Sequence, residues 1–227
     1  GCTRLRATMR GRRAWRQARP EGREGPEGWL SRFGFALPCH YAVQSVASQT
    51  EYHVSIPGVG EAHGSGVSHV ETNYGVSFPR GWCYLQGGGF ELGRASLVVT
   101  GGRFSIGPAS PMTWIVCLRA PGLEWDFRTT DVGTRFSHAL SAGGGRLSLN
   151  GTAFGGKSIE ITAEAARGTF AEEDVWVPTA VGFTNSPGCA ETFSAEVKCA
   201  VRERGRLVGA WRVPMCVLEF GGEFLRT

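Results

Sequence analysis

Between Glu71 and Gln86 the chain reads E-T-N-Y-G-V-S-F-P-R-G-W-C-Y-L-Q. Sixteen residues bring together a carboxyl, two amides, a Phe-Pro pair and several rings. Burying Glu71 would disfavour its anion and raise its pKa, which makes it a candidate proton donor. Trp82 and Tyr84 stand two apart, so on a strand they share one face, and Gln86 joins them. Such a row offers π faces that steady a cation and an amide that can orient a phenol or quinol. Tyr74 adds a third ring to the set. Asn73 and Gly75 have turn chemistry and would shape the site. Glu219, inside the apolar run Cys216 to Phe220, is a second candidate buried carboxylate, and His40 is a candidate substrate donor. Bland readings stay open for each. Glu71 could be an ionised acceptor for its own turn, the aromatic row could be ordinary core, and His40 could be structural.

The spacing resembles the signature of the tocopherol cyclase family, E-K-N-W-G-x-x-F-P-x-x-W-x-W-x-Q. Glu71, Asn73, Gly75, Phe78, Pro79, Trp82 and Gln86 stand at matching positions, whereas Thr72, Tyr74 and Tyr84 depart from it. The similarity extends to Gly28-Trp29-Leu30, Leu37 to His40, Gly101-Gly102-Arg103, the Trp114 to Phe127 hairpin, Glu196 to Arg204 and Val217 to Gly222. It covers roughly residues 28–222. The resemblance implies an intramolecular cyclisation. A protonated trisubstituted alkene becomes a tertiary cation, which a neighbouring phenol oxygen captures to close a chromanol ring. It implies no redox cofactor and no metal, a hydrophobic prenylquinol as ligand, and Glu71 as the acid. It also implies a lipocalin-like barrel and an upstream lipocalin-like half beyond this chain. Chloroplast localisation, at plastoglobules or thylakoids, with peripheral membrane or lipid-droplet association, comes from the same source. The competing reading is a non-catalytic lipocalin-like module that binds a prenyl lipid or carotenoid. A structural remnant of a truncated gene product is the third.

The elements that would position these residues are strands. Short apolar or alternating segments recur about every ten residues from Trp29 onward, separated by Gly, Pro and Asn. Leu123 to Arg128 swaps apolar and charged residues at each step, and Phe193, Ala195, Val197, Cys199 and Val201 form one face of another strand. Ala163 to Glu173 is the one candidate helix. About a dozen antiparallel strands with short turns predict an all-β fold, an antiparallel lipocalin-like β-barrel or strongly curved sheet, with room for a ligand inside. The three-Gly runs at Gly87 to Gly89 and Gly143 to Gly145 lack a strand-to-helix setting and read as turns.

Charge divides the chain. Residues 1–20 hold seven Arg and no acid, while the whole chain is +4, so the remainder carries −3. Residues 1–27 read as an Arg/Gly-rich disordered extension or linker, 28–222 as the folded domain and 223–227 as a tail. Beyond Trp15 the basic run has no interleaved aromatics, which favours a linker over a nucleic-acid arm. The chain opens on Gly1, which reads as a piece of a longer protein. Seven scattered Cys with no C-x-x-C pair read as reduced, small buried side chains. Five His without ligand spacing predict no metal site.

Overall fold

A computed structural model describes residues 2–15, 25–90, 94–105 and 109–226. Thirteen strands lie within them. β1 (Arg4–Arg13), β2 (Cys39–Ile56) and β3 (Gly60–Gly75) form a small antiparallel sheet in the order β1-β2-β3. The remaining strands are β4 (Gly81–Gly89), β5 (Ala95–Arg103), β6 (Met112–Ala120), β7 (Leu123–Arg128), β8 (Arg135–Ser141), β9 (Arg146–Ala153), β10 (Lys157–Glu164), β11 (Ala171–Thr179), β12 (Gly182–Glu203) and β13 (Arg206–Gly222). They make one large sheet in the order β7-β6-β5-β4-β13-β12-β10-β9-β8, with β11 paired to the first half of β12. Every pairing is antiparallel, and the sheet curls into a half-barrel. The predicted all-β fold is therefore present as a strongly curved sheet, not a closed barrel.

Alternation decides which way each strand faces. Leu123, Trp125 and Phe127 of β7 and Ile159, Ile161 and Ala163 of β10 point into the concave side. They meet Leu85, Val99, Val116, Leu147, Val197 and Phe220 there. Side chains fill this interior, so the expected ligand space inside a barrel is a packed core. The central strands are covered on both faces. Val98 of β5 and Cys117 of β6 point to the convex side, against Val46 of β2 and Trp15. That double burial explains the continuous apolar runs of β5 and β6.

The N-terminal segment corrects the reading of residues 1–27 as disordered. β1 pairs along β2 from Arg4 opposite Ser55 to Arg13 opposite Ala47. Trp15 is buried, and its carbonyl accepts hydrogen bonds from Nε (2.9 Å) and Nη2 of Arg119. Arg128 donates to the carbonyls of Pro26 (2.7 Å) and Gly25 (3.2 Å). The cause is electrostatic. Arg119 and Arg128 are buried beside Asp126, which bonds both of them at 2.6 and 3.3 Å. Asp126, and Asp131 at 3.2 Å from Arg128 Nη1, cannot occupy ten guanidinium donors, so backbone carbonyls of the N-terminal segment help complete the set. Residues 16–24 of the expected linker lie outside the described residues.

Three further expectations change. Residues 223–227 are not a free tail through Arg226: Glu223–Arg226 is a 3-10 turn whose Phe224 is buried against Gly81. The candidate helix Ala163 to Glu173 is the end of β10, one 3-10 turn at Arg167–Thr169 and the start of β11. Phe193 does not share the core face of Ala195. A register shift between Thr192 and Ala195 buries Thr192 and leaves Phe193 exposed.

Removing the shared carboxylate should test the buried clamp. Asp126→Ala leaves two buried guanidinium groups without their common counter-ion and should cost about 3 kcal/mol of stability. Urea unfolding of variant and parent measures it. A loss below about 1 kcal/mol would show that Asp131 and the carbonyls suffice without Asp126.

Candidate functional site

The site is assembled where the small sheet crosses the middle of the large one. On β4, Cys83 and Leu85 point into the concave core, so Trp82, Tyr84 and Gln86 share the convex face. The same-face expectation holds. The expectation that this face lines the inside of the barrel does not, because the opposite face of β4 carries the core. β13 runs beside β4 with Val217 opposite Gln86, Glu219 opposite Tyr84 and Gly221 opposite Trp82. A Cβ at Gly221 would overlap the Trp82 ring. The missing side chain lets the indole lie across β13, where Trp82 Nε1 donates to Glu219 Oε1. Phe78 meets Trp82 edge to face at 5.1 Å.

From the small sheet, Tyr41 of β2 and His69 and Glu71 of β3 reach the same space. Oε2 of Glu71 is the meeting point. The Tyr41 hydroxyl donates to it at 2.5 Å, the Tyr84 hydroxyl at 3.0 Å, and His69 Nε2 stands at 2.7 Å. Glu71 therefore links the two sheets and serves as an acceptor there. Gly75 ends β3 where a Cβ would collide with the Pro38 carbonyl, so this position has room only for glycine.

The two carboxylates differ in surroundings. Glu71 gathers three polar side chains. Burial pushes the pKa of Glu219 up, and the negative charges of Glu191 and Glu71 add to it, while the Trp82 N–H opposes it. Glu191 lies directly across β12–β13 from Glu219. The Tyr84 phenol is pushed far up by burial and by the charges of Glu71 and Glu219, and Tyr41 is raised by burial and Glu71. Both phenols are thus neutral donors. The thiols behave similarly: burial holds Cys39 up to about 11 and Cys199 up to about 12. No disulfide joins the described cysteines.

The remaining candidates divide. Asn73 alternates onto the Glu71 face of β3 and is exposed. His40 and Tyr74 lie on the opposite face of the small sheet, stacked on each other at 4.9 Å. His40 pairs with Glu27 at 3.2 Å. Neither belongs to the Glu71 cluster, and period-two alternation is the reason. Sequence reasoning missed Tyr41, His69 and Glu191. The H-x-E spacing of His69 and Glu71 was the one local signal, since it places both on one strand face. Tyr41 and Glu191 join only through strand register.

No family model matches the chain, and no curated protein matches it. Two solved structures are similar in part. Kievitone hydratase from Nectria haematococca aligns with a TM-score of 0.46 at 10% identity, over 83% of this chain and 54% of that one. An AttH protein from Nitrosomonas europaea aligns with a TM-score of 0.44 at 14% identity, over 95% of this chain and 60% of that one. The chain thus spans little more than half the length of either. Likenesses at this level say nothing about what this chain binds or turns over.

The Glu219 environment predicts a pH signature in stability. Its folded pKa lies above its unfolded value. Its contribution to stability is therefore full below the unfolded pKa and is lost as pH rises through the folded one. The thermal midpoint of the parent should fall relative to Glu219→Gln over that window, in melts from about pH 4 to 8. Parallel curves for the two proteins would refute the shift.

Proposed function

We propose that the space between the two sheets is an acid–base site for a prenylated phenol or quinol, closing a chromanol-type ring as the tocopherol cyclase resemblance implies. The observation that supports it is the pair of unlike carboxylates on either side of Tyr84. Glu219 is half-buried, its pKa is raised, and it accepts from the Trp82 indole N–H. Glu71 is ringed by donors. In this reading Glu219, rather than Glu71, gives its proton to the alkene. The C–H bond forms as the alkene π bond breaks, and the Trp82 and Tyr84 rings steady the tertiary cation. The phenol oxygen then bonds to the cationic carbon, and its proton passes to Glu71. Atoms and charge balance without an oxidant, because the product is an isomer of the substrate. Transfer of a proton from Glu71 back to Glu219 restores the site.

Two of the three departures from the family spacing fall away from this chemistry. Thr72 and Tyr74 alternate to the far face of β3. Only Tyr84 meets the site, and its hydroxyl has a partner in Glu71. The alternative is a lipid-binding module without turnover. It is favoured by the two phenols already held by Glu71, which would have to yield to a substrate phenol.

Incubation with a phytyl-benzoquinol and detection of chromanol tests the proposal. Glu219→Gln should lower the rate by about 10²–10⁴-fold. Its thermal midpoint should not drop, because Gln keeps an acceptor for the Trp82 N–H. Quenching of Trp82 fluorescence, assigned by comparison with Trp82→Phe, reports binding separately. Binding without any chromanol from the parent protein would overturn the catalytic reading and leave the binding module. Full turnover in Glu219→Gln would remove Glu219 as the acid.

A further inference from the structure

Among the described residues β1 pairs with β2 alone, so its outer edge is open. At every second residue along that edge the backbone N–H and C=O point away from β2. The strand keeps a regular register from Arg4 to Arg10 and shifts beyond it, where Gly11 takes a φ of 61°. Its two faces differ. Arg4, Arg6 and Arg10 alternate onto one, with Thr8 between them. Their neighbours across the ladder are Ser55, His53 and Gln49, while Glu51 stands opposite Thr8. All three Arg are exposed, and no carboxylate among the described residues pairs with them. Leu5, Ala7 and Met9 share the other face, with Leu5 68% and Met9 51% exposed. Val54 and Tyr52 lie opposite Leu5 and Ala7, and Tyr52 reaches across to Gly64. Both faces of β1 therefore stand clear of the large sheet.

We propose that the edge of β1 takes up an extended segment of a partner protein that alternates acidic and apolar residues. Strand addition accounts for the open edge and both faces together. The backbone supplies the hydrogen bonds, and the alternate side chains select the sequence. Carboxylates at every second position meet Arg4, Arg6 and Arg10, and the residues between them cover Leu5, Ala7 and Met9. A long edge strand with exposed apolar residues pairs indiscriminately unless something opposes it. Here the Arg row repels basic strands and a second copy of itself, and an acidic strand lifts that repulsion. A nucleic acid would use the Arg row alone. Beyond the imidazoles of His53 and His63 that face has no ring on which a base could stack, and Leu5 and Met9 would stay uncovered. The edge is separate from the Glu71 chamber, because Tyr41 and Glu71 lie at the other end of β2 and β3 from His53 and His63. The inference therefore stands apart from the ring-closing chemistry.

Fluorescence anisotropy of a labelled peptide, Glu-Val-Glu-Val-Glu-Val-Glu, tests this on the whole chain. The parent should bind it at least about tenfold more tightly than Val-Val-Val-Glu-Glu-Glu-Glu, which has the same charge without the period. Arg6→Gln together with Arg10→Gln should weaken binding about tenfold, through loss of two cross-strand charge pairs. The thermal midpoint should hold, because both side chains are exposed. Two N-methylated peptides, one methylated on Val and the other on Glu, test the backbone. At least one should lose binding, since one set of N–H groups faces β1. Undiminished binding by both, or equal binding of the two peptide sequences, would overturn strand addition in favour of simple charge attraction. Displacement of the peptide by an oligothymidylate of equal charge would overturn it in favour of nucleic acid. A parent that sediments as a dimer and excludes the peptide would overturn it by making a second copy the occupant. No anisotropy change at about 1 mM peptide would overturn it outright.

Discussion

The pairing of β4 with β13 is the constraint on which the rest depends. It joins residues 81–86 to residues 217–222, where, among the described residues, early and late strands of the large sheet are paired. Without it, β4 to β7 and β8 to β13 would be two meanders with no common core. With it, their alternating faces align, and a single apolar interior runs from Phe127 to Ile161. The same register sets Glu219 beside Tyr84 and Gly221 beneath Trp82. Core and candidate site are therefore opposite faces of one ladder. A one-residue slip would exchange them and place Glu219 among the core leucines.

Covering the convex face has its own electrostatic demand. Where the small sheet and Trp15 close over β5 and β6, Arg119 is fully buried and Arg128 nearly so. Stabilising two such cations takes more than Asp126. The Asp131 carboxylate and the carbonyls of Trp15, Gly25, Pro26, Leu118 and Trp125 supply other acceptors. Those bonds hold the segments on either side of residues 16–24 against the sheet. The Arg-rich first strand thus ends inside a packed structure, although its own side chains are exposed. A charged strand along a free edge also discourages pairing with other chains.

Much of this was legible because period two is local. Strand identity and the shared face of Trp82, Tyr84 and Gln86 follow from neighbouring residues alone. What was not legible depends on partners far along the chain. Nothing near Arg13 or Trp15 says that Arg119 lies more than a hundred residues away, so composition alone made the N-terminus a linker. His40 and Tyr74 carry suitable chemistry, but which face of the small sheet meets the large one is set by packing. The curved sheet was expected to hold a ligand inside. The bulk of Trp114, Phe127 and Phe220 fills that volume, and sequence gives no sum of side chains against a curvature not yet known.

The two carboxylates show how one space can separate acid from acceptor. Both lie near Tyr84, and their charges oppose each other. Glu71 is met by two phenol hydroxyls and an imidazole, each able to donate to the same oxygen. Glu219 is met by the Trp82 indole N–H and the Cys189 thiol, with Glu191 across the ladder adding a second negative charge. The pKa of Glu219 is raised accordingly. Glu71 in turn keeps Tyr41 and Tyr84 as neutral donors, since ionising either phenol beside it would set two negative charges on one hydrogen bond. Division of labour here comes from strand register, because β13 brings Glu219 to the indole while β3 brings Glu71 to the phenols.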